Sequence, residues 1–130
     1  MANNSLLIGK YIRKFLTENQ EVNSLTHGNI GPLVANENTT FPFIVFSRSS
    51  LTPDYDKDGN YQDNIEVQII AVSNDYTQVI DVANAVRKAI DRHTYSDDTI
   101  DITSMRLSTA QEEYVDDAYL QILTFSIMTN

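Results

Sequence analysis

One stretch of the sequence, residues 41 to 92, constrains the fold more than any other. It contains an apolar run from Phe43 to Ser49, a polar and acidic segment from Leu51 to Asp63, and a second run from Asn64 to Val72 in which apolar and polar residues alternate. Alternation with a period of two is typical of a strand that buries one face. The stretch therefore predicts two antiparallel strands joined by a long acidic tip.

An amphipathic helix is predicted directly after the second strand. Asp75 offers a side-chain acceptor to the free amides of the first turn, and Gln78 follows it at the capping-box spacing. Arg87 falls within the apolar stripe of this helix, so we expect its charge to snorkel, to pair with a carboxylate or to meet a partner subunit. The apolar stripe comprises Tyr76, Val79, Ile80, Ala83, Val86 and Ile90.

The remaining elements complete an α+β fold class. We predict a single domain over residues 1–130, with a mainly antiparallel sheet of about four strands and two helices packed on one face. The further elements are a helix from Asn4 or Ser5 to near Asn19, a loop from Val22 to Thr40 with a brief edge strand at Ile30, and strands from Ile100 to Ser108 and from Tyr119 to Met128, separated by an acidic loop.

Composition excludes several classes of function. The chain has 18 acidic and 9 basic residues, and its net charge of −9 repels nucleic-acid phosphates and anionic membranes. We therefore expect neither sequence-specific nucleic-acid binding nor a membrane partner. The absence of cysteine leaves no disulfide and no thiolate metal ligand. The first residues form neither a signal peptide nor a membrane span, so we expect a soluble protein that assembles in the cytoplasm.

The acidic tip contains the opening of an EF-hand calcium loop. Asp54, Asp56 and Asp58 alternate and a glycine follows, an arrangement that can direct carboxylates at a hard cation. The twelfth position is Ile65 where the EF-hand has a bidentate glutamate, and the flanks are predicted strands. Two interpretations stay open: a solvated acidic tip, and a small calcium-binding module that uses the loop from Asp54 to Asn60.

Catalytic chemistry has little support in the sequence. His27 and His93 lie in polar, turn-like contexts without neighbouring ligands, and no nucleophile, phosphate-loop or metalloprotease motif occurs. Acidic pairs such as Glu112 and Glu113 are adjacent, so in an extended chain their side chains point to opposite faces. We therefore predict that the protein is not an enzyme and uses no cofactor.

The order of these elements resembles the tail-completion family of long-tailed phages and prophages, also called tail-terminator or head–tail joining proteins. The resemblance covers the chain from about Leu6 to Met128. It is carried by Gly28, Ile30 and Pro32, by the strand Pro42 to Phe46, by a tip with Tyr55 and Asp58-Gly59, by the strand Glu66 to Ile69, by the helix from Tyr76 with Ala85 to Ile90, and by Tyr119 to Phe125.

The resemblance implies a structural protein of the virion tail that closes into a ring, which is hexameric in known members of the family. Such a ring caps the tail tube and presents the joint for the head. The implied partners are further copies of the chain, the tail tube protein and a neck or head-completion protein. The acidic tip of this chain departs from the family pattern.

Candidate interaction residues follow from the predicted elements. Tyr55 and Tyr61 place aromatic area on the tip, which we expect to be mobile in the free subunit and ordered by contact in the assembled tail. Arg87 is a candidate on the helix. Ring contacts are expected either at the strand around Phe43 to Phe46 or at the C-terminal strand from Tyr119 to Phe125, and the sequence does not rank the two.

Overall fold

A computed structural model describes residues 2–32, 39–55 and 61–130. The helices are α1 (Ile8–Glu18), α2 (Gln20–Thr26) and α3 (Tyr76–Ile90), and a 3₁₀ segment, Ala2–Leu7, precedes α1. The strands are β1 (Ile30–Pro32), β2 (Phe43–Tyr55), β3 (Tyr61–Ser73), β4 (Tyr95–Ser96), β5 (Asp101–Val115) and β6 (Ala118–Thr129).

The six strands form one mixed sheet, curled into a half-barrel, in the order β1-β2-β3-β6-β5-β4. β1 runs parallel to β2, and the other neighbours are antiparallel. The prediction of a mainly antiparallel sheet of about four strands with two helices on one face was therefore wrong in strand number and helix number, and it missed the parallel strand β1 that makes the sheet mixed. The α+β class itself holds.

The missed helix α2 lies where the sequence predicted a loop. Asn19 ends α1 and caps α2, because its side-chain oxygen accepts from the Val22 backbone N–H at 3.0 Å. His27, at φ 54°, then ends α2 in the left-handed conformation. At seven residues, α2 is too short for its apolar periodicity to stand out against the nearby glycines and proline.

Two segments predicted as loops are strands over most of their length. The tip from Leu51 to Asp63 is paired as far as Tyr55, which lies opposite Tyr61. The acidic segment before β6 belongs to β5, which continues to Val115. Charge favoured a loop in both places, but a strand with solvent on both faces tolerates charged side chains because neither face has to be buried.

The core lies between the helices and one face of the sheet. α1 contributes Ile8, Ile12 and Leu16 at helical spacing, and each is almost completely buried. α3 begins at the cap that the sequence predicted, since the Asp75 side chain accepts from the Gln78 backbone N–H at 3.3 Å. The strands contribute alternate residues of β3 and β6, including Ile65, Val67, Ile69, Leu123, Phe125 and Ile127.

None of the helices in the described part of the chain has the length and apolar character needed to cross a membrane.

Candidate interaction surfaces

The two long hairpins of the sheet end at opposite ends of it. The β3–β6 ladder runs from the pair Asp63–Thr129 at one end to the pair Ser73–Tyr119 at the other. The β2–β3 hairpin continues past the first pair, and the β5–β6 hairpin continues past the second. We call the projecting part of the β2–β3 hairpin, from Pro53 towards Gln62, the acidic hairpin. The body of the sheet thus separates two different surfaces.

The acidic hairpin carries several of the predicted site residues. Asp54 is exposed and lies opposite Gln62 in the ladder, while the Tyr55 side chain is 65 % exposed and lies opposite Tyr61. Asp56, Asp58 and Asn60, the other candidate calcium ligands, lie outside the described residues. Among the described residues, no three His, Cys, Asp or Glu side chains come together as metal ligands would. The metal interpretation gains no geometric support from this part of the chain.

At the opposite end, three tyrosines form a cluster on the helix side of the sheet. Tyr119 of β6 lies between Tyr76 and Tyr114, with ring centroids 5.4 and 4.8 Å away. Glu112 of β5 accepts hydrogen bonds from the Tyr76 hydroxyl and from the Gln121 amide, both at 2.6 Å. We call these five residues the tyrosine cluster. It ties the β5–β6 hairpin to the first turn of α3.

Hydrogen bonding determines the charge state of this cluster. The bond from the Tyr76 hydroxyl, followed by that from Gln121, lowers the pKa of Glu112. The same bond raises the pKa of Tyr76. Glu112 is therefore a carboxylate, and Tyr76 a neutral donor, across the neutral pH range. Tyr114 nevertheless exposes 58 % of its surface. The cluster therefore holds the β5–β6 hairpin against α3 and also presents an aromatic side chain to solvent.

Phe43 lies on the other face of the sheet at this same end. It is half-buried beneath Phe41, whose ring stacks on it at 5.8 Å, and it pairs with Val72 of β3. β1 pairs with the next three residues of β2, Ile44 to Phe46. From Ile44 to Phe46 the predicted contact strand is thus already paired on both edges, with β1 and with β3. β6, the alternative contact strand, pairs on both edges with β3 and β5, so only its side chains can meet a partner.

The lateral edges of the sheet are only partly covered among the described residues. β4 pairs only with Asp101 and Ile102 of β5. Farther along β5, the turn after α3 covers the edge of the strand. The Arg92 backbone N–H donates to the Met105 carbonyl, and the Asp91 carboxylate accepts from the Leu107 N–H. Beyond this point β5 is exposed from Ser108 to Val115. Each edge of the sheet therefore offers surface to a neighbour.

A basic cleft of about 460 Å³ lies along the covered part of the β5 edge. Arg87, the predicted interaction residue of α3, pairs with Asp91 at 3.2 Å and leaves 54 % of its side chain exposed. The Leu107 backbone N–H, and after it the Arg87 guanidinium, lowers the pKa of Asp91. The cleft is lined by Arg87, Asp91, Arg92, His93, Thr94 and the β5 residues from Thr103 to Leu107.

Sequence reasoning missed the tyrosine cluster and the basic cleft. The segment from Ala110 to Tyr114 shows no alternation of apolar and polar residues, so its pattern could not indicate that it belongs to β5. The cleft left no pattern either, because its arginines come from a helix end and from a strand that are distant in the sequence.

Comparison with known proteins identifies the class. The chain matches the family described as Tail completion protein gp17 over residues 10–130, and it therefore belongs to that family. It is a structural protein of a phage-type virion tail, as the resemblance in the sequence implied.

The fold recurs in a solved assembly. A chain in the structure titled "Virion of native gene transfer agent (GTA) particle" matches with a TM-score of 0.80 and 13 % sequence identity, over 91 % of this chain and 90 % of that one. At this identity the match establishes a shared fold. A search of curated proteins gave no match.

Proposed function

We propose that the protein forms a ring, hexameric as the family resemblance implies, which caps the tail tube and joins the tail to the head. Its partners in this proposal are further copies of itself, the tail tube protein and a neck or head-completion protein. Residues 1–130 act as a single domain in the ring. The proposal extends the family membership, which by itself establishes a structural tail protein.

One observation carries the proposal: the sheet directs its two hairpins to opposite ends and leaves its lateral edges available. A joining protein has to contact one partner at each end, and a ring subunit has to contact a copy of itself on each side. The acidic hairpin and the tyrosine cluster occupy the two ends. The outer strands β1 and β4 pair with only three residues of β2 and two of β5.

The ring contact follows from the asymmetry of the two edges. They differ in sequence and shape, so contacts between copies are head-to-tail, and such contacts close into a ring when the rotation per subunit permits. Partly covered edges are also the places where strands acquire neighbours. Self-association through the edges leaves both ends of the sheet free for the tube and the neck.

The test uses tails assembled without this chain, to which the purified protein is added back. We expect native mass spectrometry to detect a closed oligomer on the tails, and electron microscopy to show tubes of uniform length that accept heads. The protein alone can remain monomeric, because the tube end brings the copies together. A protein that stays monomeric in the presence of tail tubes would contradict the ring.

A further inference from the structure

The outer part of β5 is an open edge of the sheet. From Ser108 to Val115 every residue is exposed, and among the described residues this part of β5 pairs with β6 alone. The turn after α3 reaches the edge only as far as Leu107. From Thr109 onward the ladder has no irregularity, and the segment contains no proline. It therefore lacks the bulge, the proline and the covering loop that commonly protect an edge from an added strand.

The β5–β6 turn determines which backbone groups of this edge are open. Val115 and Ala118 close a two-residue turn, so they exchange both backbone hydrogen bonds with each other. Because such pairs alternate along an antiparallel ladder, the N–H and C=O groups of every second residue back to Thr109 also point towards β6. The outward groups, which find no backbone partner within the described residues, belong to Ala110, Glu112 and Tyr114.

The inner part of the same edge shows how such outward groups are satisfied. The Met105 carbonyl and the Leu107 N–H both point away from β6, and both are bonded to the turn after α3. The chain thus pairs the outward groups of β5 where its own turn reaches them. It leaves those of the next stretch open, and a strand of about five residues can pair with them.

Charge around the open edge selects the kind of strand that can be added. Glu112 and Glu113 are adjacent in β5 and lie on opposite faces of it, while Asp116 and Asp117 form the turn. Residues 107–130 contain neither Lys nor Arg. Pairing β5 with the β5 of a second copy would bring like charges together, whereas a strand with Lys or Arg beside these carboxylates gains favourable cross-strand pairs.

Exposed apolar side chains flank the open edge on the helix side of the sheet. Tyr114 belongs to the edge itself, and the Tyr76 hydroxyl donates to Glu112. Ile80 follows Tyr76 after one turn of α3, and all three side chains are exposed. An added strand can cover apolar area here, and tyrosine rings also attract Lys and Arg cations.

The other open edge of the sheet supplies a poor partner. Beyond β1, the edge of β2 from Ser47 to Tyr55 has Arg48 as its only basic residue, and it contains a register shift and Pro53. A second copy therefore offers neither the positive charge nor the regular backbone that the edge of β5 requires. A nucleic acid offers no backbone amides at all.

We propose that the open edge of β5, from Ala110 to Tyr114, receives an extended strand of another virion protein, and that this strand carries Lys or Arg beside Glu112 and Glu113. The proposal rests on the proposed function, because it specifies the contact that the β5–β6 end of the sheet makes. Backbone hydrogen bonds supply affinity in such a contact, and the alternate side chains supply specificity.

Proline substitution tests the backbone contact. Co-sedimentation with tail tubes and with heads, each prepared without this chain, identifies the particle that retains the wild type. Ala110→Pro removes an outward N–H at an exposed position, so its binding to that particle should fall by at least about tenfold. Ala110→Thr keeps the N–H and, as the matched control, should bind as the wild type does.

The melting temperatures of two proline variants test which groups are open. Ala110→Pro removes no bond to β6 and should melt within a few degrees of the wild type. Gln111→Pro removes such a bond and should melt at a clearly lower temperature. The reverse order would overturn the assignment of the open groups.

Hydrogen exchange resolved to single amides gives a second measurement of the contact. In the free subunit the amides of Ala110, Glu112 and Tyr114 should exchange faster than those of their neighbours in β5, which bond to β6. On the particle that retains the chain, these three amides should become protected. Unchanged exchange at all three would overturn the added strand.

Charge reversal tests the chemistry of the added strand. Glu113→Lys leaves every bond of the tyrosine cluster in place and should weaken binding several-fold. Glu18→Lys, at the exposed end of α1, makes the same change in net charge and should leave binding unchanged. Equal or tighter binding of Glu113→Lys would contradict a basic partner.

The outcomes separate this contact from the ring. An Ala110→Pro variant that binds like the wild type, without protection of the outward amides, would overturn the added strand and leave the ring standing. A chain that is monomeric on tails would contradict the ring, while hydrogen exchange on the bound chain would still decide the strand contact. Protection of the outward amides in an oligomer of this chain alone would assign the edge to a second copy and overturn the proposed partner.

Discussion

The two long hairpins are built alike, yet they relate differently to the helices. The β5–β6 hairpin closes with Asp116 and Asp117, both in the left-handed conformation, which suits a tight two-residue turn between twisted strands. Its outer part is tied to α3 through the tyrosine cluster. The β2–β3 hairpin carries exposed side chains from Thr52 to Tyr55 and projects at the other end of the sheet. One hairpin is thus anchored to its own subunit, whereas the other exposes its side chains from Thr52 to Tyr55, which in the proposed function meet a partner.

Truncating one tyrosine in each hairpin should give the clearest contrast in stability. Tyr119→Ala removes a half-buried ring that contacts both Tyr76 and Tyr114, so we expect a loss of roughly 2 kcal/mol in the free energy of unfolding. Tyr55→Ala, at a largely exposed position, should cost at most about 0.5 kcal/mol. Urea unfolding of the two variants measures the difference. Equal losses would contradict the anchoring of the β5–β6 hairpin.

The dependence of stability on pH through the tyrosine cluster should be a smaller effect than the loss of the Tyr119 ring. Hydrogen bonds to the ionised carboxylate hold the folded pKa of Glu112 below its unfolded value. Their contribution to stability is therefore complete above the unfolded pKa, about 4.3 for glutamate, and is lost as the pH falls through the folded pKa. Tyr76→Phe removes the main donor, so it should lower the melting temperature at pH 7, and the difference from the wild type should shrink as the pH falls through the lowered pKa of Glu112. Tyr119→Phe, the control, keeps the ring packing of the cluster and the Tyr76–Glu112 bond, so it should change neither.

A pH-independent effect of Tyr76→Phe would mean that ring packing, and not the bond to Glu112, joins the hairpin to α3.

Arg87→Ala should have the smallest effect on the subunit. The ion pair with Asp91 is half-exposed and joins successive turns at the end of α3, where such pairs contribute a few tenths of a kcal/mol. We therefore expect almost unchanged thermal unfolding and a measurable weakening of ring assembly on tails. If both remain unchanged, Arg87 has neither a structural nor an interfacial role.

Much of the fold could be predicted from local patterns. The cap at Asp75 and the apolar stripe placed α3 correctly, and apolar patterns identified the inner halves of β2 and β5, most of β3 and nearly all of β6. The outer halves of β2 and β5 were missed because their side chains are exposed to solvent, which removes the alternation that marks a strand. The brief strand β4 has no pattern of its own and exists because Tyr95 lies beside Ile102.

The candidate site residues also divide into those that the local sequence revealed and those whose role depends on contacts between distant segments. Tyr55 and Tyr61 stood out as aromatics in an acidic segment, and the structure puts them opposite each other near the end of the acidic hairpin. Tyr76 was recognised only as an apolar position of α3, although its hydroxyl holds Glu112 of a strand 36 residues away. Contacts at such separation depend on strand register, and the register appears only once all the strands are assigned.

Shortening the acidic hairpin tests the central claim most directly. Replacing Asp54 to Gln62 by Asn-Gly keeps Pro53 opposite Asp63 and closes the strands with a two-residue turn. The variant should unfold within a few degrees of the wild type, yet leave tails of uncontrolled length or tails that do not join heads. Electron microscopy of particles made with this variant, beside its melting curve, provides the measurement. Normal tail completion, or loss of the fold, would contradict the assignment of this hairpin to assembly.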